Sequence, residues 1–277
     1  MRLAQGPDRQ VKIQADDVSP VSFDVSSVTH PGKVRERNED SCLVRTDAGL
    51  WAVADGMGGH EAGDLASRIL VESLDAIEKP DAALDLLEQC EVQISRANQR
   101  IMDLSRAHNG ATIGTTAAVL LVRDEHYACV WAGDSRIYLI KDGAIRQLSR
   151  DHTEVEELVV AGAVSREDAE NWPSNVITRA IGVAEECELE IVIGPADPGD
   201  TFVICSDGLT RHLRDDEILE YAAGRNTQAA CDMMLELALE RGGSDNVTVV
   251  VVRLLLAPRS SEPTRAPVTD NAQERRP

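Results

Sequence analysis

Apolar positions along the chain follow two rhythms, and the switch between them sketches a fold. The runs "SFDVSSVTH", "SCLVRT" and "LWAVA" are short, rich in β-branched and aliphatic residues, and bounded by Pro, Gly and Asp, which predicts three opening strands. Two helices follow. Leu65, Ile69, Leu70, Leu74 and Ile77 share one helical face, and Leu84, Leu87, Cys90, Ile94, Ala97, Ile101 and Leu104 recur at steps of three or four. The runs "TTAAVLLVR", "HYACVWA", "RIYLI" and "AIRQL" then predict an antiparallel meander, its last pair joined by "KDG", because Asp-Gly suits a tight primed turn. A polar helical insertion from about Asp151 to Pro173 interrupts the strands. They resume with "CELEIVI", "TFVICS" and, after a helix around Ala230, Met233, Met234 and Leu237, "NVTVVVVRLLL". Grouped strands with helices paired between them predict an α+β fold of sheets packed together and covered by helices.

The patterned part runs from residue 21 to 256. The polar first twenty residues read as a flexible extension, and the Pro-rich, mixed-charge stretch from Ala257 to Pro277 reads as a disordered tail. A hydrophobic share of 43% in 277 residues supports one large core, while aromatics at 3% leave it to Val, Leu, Ile and Ala. The net charge of −20 opposes binding to nucleic acid or to anionic membranes and favours divalent cations. No run of about 18 apolar residues and no signal-type leader is present, so a soluble cytoplasmic protein is expected. Six scattered cysteines (Cys42, Cys90, Cys129, Cys187, Cys205 and Cys231) form no CxxC pair, which predicts reduced thiols and neither a disulfide framework nor a zinc site.

Candidate chemistry lies where strands end. "LWAVADG", "YACVWAGDS" and "TFVICSDG" run from apolar strand into Asp55, Asp134 and Asp207, and "SDNVTVVVV" starts from Asp245. Each acid alone fits a plain turn or cap. Together they outline a metal site, since antiparallel neighbours place strand ends beside strand starts and gathered carboxylates repel unless a hard cation lies between them. The segment "GKVRERNED" adds Arg35, a planar donor fork suited to phosphate, and Glu39 and Asp40, suited to metal or metal-bound water.

The ordered set "VRERNED", "VADGMGGHEAG", "GTT", "WAGDSR", "SRDH", "ITRAIG", "CSDG" and "GGSDNVTVVVV" resembles the metal-dependent protein phosphatases of the PPM or type 2C family, most of all their bacterial serine/threonine members. The resemblance spans about residues 25 to 253. It implies a four-layer α/β/β/α sandwich of two antiparallel sheets flanked by helix pairs. It further implies that Asp55 bridges two Mn²⁺ or Mg²⁺ ions, that Asp207 and Asp245 complete the ligands of the first, and that the Gly56 carbonyl serves the second. By the same resemblance Glu39 and Asp40 act through coordinated water, Arg35 holds the substrate phosphate, and Asp134 with Asp207 binds a weaker third ion. Thr115 and Thr116 are expected behind the site. The segment of about residues 153–175 corresponds to a flap beside it.

The implied reaction is hydrolysis of phosphoserine and phosphothreonine in proteins. Paired cations lower the pKa of a shared water and neutralise the phosphoryl oxygens, so no Ser or Cys nucleophile is required. Expected partners are phosphorylated proteins, among them a cognate Ser/Thr kinase or its targets, met by a monomer. Met57 stands where animal members carry a His credited with protonating the leaving group, which leaves the general acid unassigned; metal-bound water is the preferred donor over His60, which reads as an exposed or capping histidine near the start of the following helix. The rival reading is a pseudophosphatase that binds phosphoproteins without turnover. A dinucleotide enzyme is disfavoured because "DGMGGHEAG" lacks GxGxxG spacing.

Overall fold

A computed structural model of the chain describes residues 21–58, 62–169, 172 and 176–256. The two expected terminal extensions, part of the insertion and His60 lie outside the described residues. In chain order the elements are β1 (Val21–His30), β2 (Asp40–Arg45), β3 (Leu50–Met57), α1 (Ala62–Asp75), α2 (Ala83–Ala107), β4 (Gly114–Thr115), β5 (Ala117–Arg123), β6 (His126–Ala132), β7 (Arg136–Lys141) and β8 (Ala144–Gln147). They continue with α3 (Glu154–Val160), α4 (Arg166–Ala169), β9 (Glu190–Pro195), β10 (Thr201–Cys205), α5 (Asp207–Thr210), α6 (Asp215–Ala222), α7 (Thr227–Glu240) and β11 (Val247–Leu256).

Among the described residues the strands form two antiparallel sheets, ordered β1-β11-β10-β7-β8 and β2-β3-β5-β6-β9, with β4 paired to the end of β3. The unbroken valines of β11 show how they stack. Successive side chains of a strand point to opposite faces, and a run that is apolar throughout must be buried on both. Val250, Val252 and Leu254 accordingly pack between the sheets with Trp51, Val53, Leu120, Trp131 and Phe202. Val247, Val249 and Val251 face the other way, onto Ile218, Cys231 and Met234 of α6 and α7. On the far side, Ala52 and Ala54 meet Ala62 and Ala66 of α1, small residues that admit a helix close to the sheet, and Leu86, Ile94 and Ile101 of α2 complete that layer. The result is the α/β/β/α sandwich. Each fully buried Val, Leu or Ile contributes roughly 1.5–3 kcal/mol.

Several sequence expectations are corrected. Leu65 is 37% exposed and Leu84 66% exposed, because Ala66, Leu70 and Leu74 on α1 and Leu86, Cys90 and Ile94 on α2 carry the buried stripes. Ile77 is buried just beyond the end of α1. The predicted four-strand meander is two hairpins in different sheets: β5 pairs with β6 in one and β7 with β8 in the other, so the chain crosses the sandwich at 133–135. Strand periodicity does not register a crossing, since both hairpins alternate alike. The "KDG" turn is as expected, with positive φ at Asp142 (52°) and Gly143 (77°), the primed geometry. All six cysteines are free, four of them buried. Among the described residues no helix is long and apolar enough to cross a membrane.

Candidate active site

The acids singled out at strand ends come from both sheets and meet at one end of the sandwich. Asp55 lies two residues before the end of β3, which continues past the expected "LWAVA" through Gly56 and Met57 because these pair with β4; Asp134 sits in the crossing from β6 to β7, Asp207 opens α5 just after β10, and Asp245 lies two residues before β11. The expected meeting of strand ends and strand starts thus takes place at a shared end of the two sheets. With Arg35, Glu39 and Gly56 these four line one open cleft, bordered by Met57, Gly58, Val176, Ile177, Arg211 and Asn246. Asp40, the first residue of β2, is buried beneath it as the cross-strand partner of Asp55.

Local bonding shows why the sequence folds so tightly here. Gly56 donates its N–H to the Glu39 carbonyl at 3.1 Å, and a Cβ on Gly56 would lie 2.0 Å from the Gly63 carbonyl oxygen, so only glycine lets β3, α1 and the Glu39 segment converge. The Thr116 hydroxyl accepts from the Asp55 N–H at 2.9 Å and is 2.7 Å from the Ser135 hydroxyl, which ties the end of β3 to the Asp134 crossing. Thr115 donates its hydroxyl to the Asp55 carbonyl at 3.1 Å. Both threonines thus stand behind the site. Asn246 fastens the Arg35 segment to the start of β11: its amide donates to the carbonyls of Pro31 (3.0 Å) and Arg37 (2.8 Å), and its Oδ1 accepts from the Glu39 N–H (2.8 Å).

So many carboxylates in one place are electrostatically unfavourable. Burial, followed by repulsion from Asp40, Asp207, Asp134 and Asp245, holds Asp55 well above the ordinary carboxylate range. Burial pushes Asp40 and Asp134 each up to about 7, with Asp207 repelling both. Asp207 and Glu39 are raised too, chiefly by burial. Two guanidinium groups offset part of this. Arg35, 52% exposed at the rim, grips Asp245 through Nη2–Oδ2 and Nε–Oδ1 contacts of 2.9 Å each, and Arg211 grips Asp207 through Nε at 2.9 Å and also through Nη2.

These residues fit hard divalent cations. Oδ1 of Asp40, Asp134 and Asp207 are buried with no hydrogen-bond partner, a state that carboxylates sustain only with a cation or a proton at hand. Among the described residues the acidic donors at the cleft are all oxygen and no Cys or His lines it, which suits a hard divalent cation and not zinc. Among the described residues no three acidic, His or Cys side chains already form a closed metal cage; Asp207 and Asp245 are instead turned onto their arginines.

Sequence reasoning missed Arg211, Asn246 and Asp64. Arg211 follows Asp207 by four positions in "SDGLTRH", the helical spacing of an ion pair, and that signal was readable. Asp64, in the first turn of α1, raises Glu39 by its charge and has its own Oδ1 buried without a partner. It lies just past the glycine-rich segment, where nothing in the pattern indicated that the helix start folds back over Glu39.

A two-sheet sandwich flanked by helices, with an oxygen-donor cleft beside an arginine at one end, defines a class: metal-assisted hydrolases of phosphate esters. Kinship with known proteins narrows the class. The family model described as "Protein phosphatase 2C" matches residues 32–241, and the chain belongs to that family. It is 36% identical over 236 residues to the serine/threonine phosphatase stp of Listeria monocytogenes, covering 81% of this chain and 93% of that protein. Among solved structures it is similar to PppA, a key regulatory component of T6SS in Pseudomonas aeruginosa, with a TM-score of 0.78 and 35% identity across 84% of this chain and 98% of that one. It is also similar to the catalytic domain of the serine/threonine protein phosphatase PstP in complex with two manganese ions, with a TM-score of 0.74 and 32% identity over 85% of this chain and 99% of that chain.

Proposed function

We propose that this protein hydrolyses phosphoserine and phosphothreonine in proteins with the help of divalent cations held in the acid-lined cleft, and so reverses the work of a Ser/Thr kinase. The observation that carries the reading is the convergence of Asp55, Asp134, Asp207 and Asp245 from separate strand ends, with buried carboxylate oxygens that lack any partner. Asp55, the Gly56 carbonyl, Asp207 and Asp245 would hold two cations, Mn²⁺ or Mg²⁺, with Glu39 and Asp40 outside them and Asp134 beside Asp207 for a third. Such cations supply an acidified water and charge neutralisation for a phosphoryl group.

The chain's own residues do the rest. Arg35 stands at the rim with an exposed guanidinium, placed to exchange its Asp245 contact for two oxygens of an incoming phosphate. Arg211 neutralises Asp207 from the other wall until a cation takes its place. Thr116 and Asn246 hold the backbones of Asp55 and Glu39, so that donor atoms do not shift as the charge of the reaction develops. The arginines bring local positive charge to a protein of −20, allowing a phosphoprotein to approach. Substrates would be cytoplasmic phosphoproteins, including a kinase or its targets, met by a monomer. With every strand-end acid in place, a binding-only pseudophosphatase has no observation in its favour. The test is release of phosphate from a phosphothreonine peptide and of p-nitrophenol from its phosphate ester. Turnover is expected with Mn²⁺, and it should fall to background on chelation or in Asp207→Ala; equal turnover in that variant would remove the proposal.

A further inference from the structure

His152 follows Asp151 in "SRDH", and none of the roles above uses it, yet it is a buried titratable group 2% exposed to solvent. Its ring stacks on Trp131 with centroids 6.1 Å apart and planes 16° from parallel. Nδ1 accepts the Gly133 N–H at 3.1 Å, and the His152 N–H returns a bond to the Gly133 carbonyl at 3.0 Å. An amide can only donate, so the imidazole proton must sit on Nε2, which points toward Glu190 at 3.2 Å without hydrogen-bond geometry. Glu190 is itself held by Arg150 and Arg179.

Gly133 is the residue before Asp134. It takes a φ of +109°, and a Cβ there would lie 2.6 Å from Thr116 Cγ2. The crossing is therefore a tight turn pinned from two directions, by Thr116 and Ser135 on one side and by His152 on the other. The same histidine anchors the roots of the helical insertion. Its carbonyl accepts from the Thr178 N–H at 2.8 Å, its neighbour Thr153 bridges to Ile177 and caps α3, and the Glu154 N–H reaches the Val176 carbonyl at 3.1 Å. Val176 and Ile177 border the cleft.

We propose that His152 is a positioning residue, whose Nδ1 fixes the Gly133 turn and so aims the Asp134 carboxylate into the cleft in register with the Val176–Ile177 wall. The role rests on the proposed function, in which Asp134 holds a weakly bound cation. Burial, then the charge of Arg179, lowers the pKa of His152 against the opposing pull of Glu190, the direction that an acceptor at Nδ1 requires. An outer residue that orients a ligand is typically worth 10–100-fold in metal affinity.

Two near-isosteric substitutions separate the ends of the ring. Asparagine carries an oxygen near the place of Nδ1 and retains the acceptor for Gly133, whereas glutamine places its polar end near Nε2 and does not. Calorimetric titration of the full chain with Mn²⁺, alongside hydrogen exchange at the Gly133 amide, is the experiment. The weakest Mn²⁺ step is expected to weaken at least tenfold in His152→Gln and His152→Ala, as in Asp134→Asn, and to stay within threefold of the parent in His152→Asn. Exchange at Gly133 should quicken in the Gln and Ala variants and not in Asp134→Asn. Should His152→Ala fail to fold, the Asn and Gln pair decides alone. An unchanged weak step in His152→Gln, beside an altered one in Asp134→Asn, overturns the positioning role, as does equal loss in His152→Asn and His152→Gln. No change in Asp134→Asn overturns the assignment of Asp134, and with it this proposal, while Mn²⁺-dependent phosphatase turnover of the parent is judged separately.

Discussion

Asp40 and Asp55 are direct cross-strand partners on the β2–β3 ladder, two carboxylates facing each other where like charges destabilise a sheet. Asp40 directs Oδ2 to the Ser206 hydroxyl at 2.8 Å and leaves Oδ1 buried with nothing to accept from. Stability has been conceded at this position, which is the usual mark of a site built for a ligand.

The first prediction follows from that repulsion. Asp55→Asn removes a carboxyl that burial and four neighbouring acids disfavour, so the metal-free variant should melt several degrees above the parent while turnover falls by about a thousandfold or more. Thermal unfolding in chelator, paired with p-nitrophenyl phosphate hydrolysis in Mn²⁺, reads both. A variant less stable than the parent would contradict the assignment of strain.

A second concerns pH. Burial pushes Asp40 and Asp134 up to about 7 from an ordinary value of 3.8, so each favours the fold below about pH 4 and loses that contribution as pH rises through 7. In chelator the melting temperature should fall between pH 5.5 and 8. Asp134→Asn should flatten part of the slope, and saturating Mn²⁺ should abolish most of it.

Thr116 offers a third. Thr116→Val keeps the shape but strips the acceptor from the buried Asp55 N–H, a loss of roughly 1–3 kcal/mol. The melting temperature should drop accordingly and kcat should fall about tenfold with KM for phosphopeptide little moved, and Thr116→Ser should restore both. An effect on KM alone would place Thr116 at the substrate instead.

Arg35 separates phosphate binding from metal binding. Because a planar fork is not replaced by an ammonium, Arg35→Lys should raise KM for a phosphothreonine peptide about tenfold and leave Mn²⁺ affinity within a few-fold. A larger change in Mn²⁺ affinity than in KM would mean that the Asp245 contact is the residue's main task.

Much of this was legible in the chain. Strand periodicity located β1 to β3 and β5 to β11, and the rule that an acid closing an apolar run is conspicuous located Asp55, Asp134, Asp207 and Asp245. Two kinds of information were not. Which sheet a hairpin joins is set by burial on both faces, so the crossing at 133–135 was invisible to alternation. Contacts between distant segments, such as Asn246 with Pro31 and Arg37, or Asp64 with Glu39, depend on folding-back that leaves no local signature. Short polar helices such as α5 and α6 also escaped, since four to eight residues are too few to display a 3.6-residue period.

The central claim is that these acids gather cations, and anomalous diffraction from crystals grown with Mn²⁺ tests it most directly. Manganese peaks are expected between Asp55, Asp207 and Asp245, with Arg35 and Arg211 swung off their carboxylates. A cleft whose acids keep their arginine contacts at saturating Mn²⁺, with no manganese between them, would contradict it.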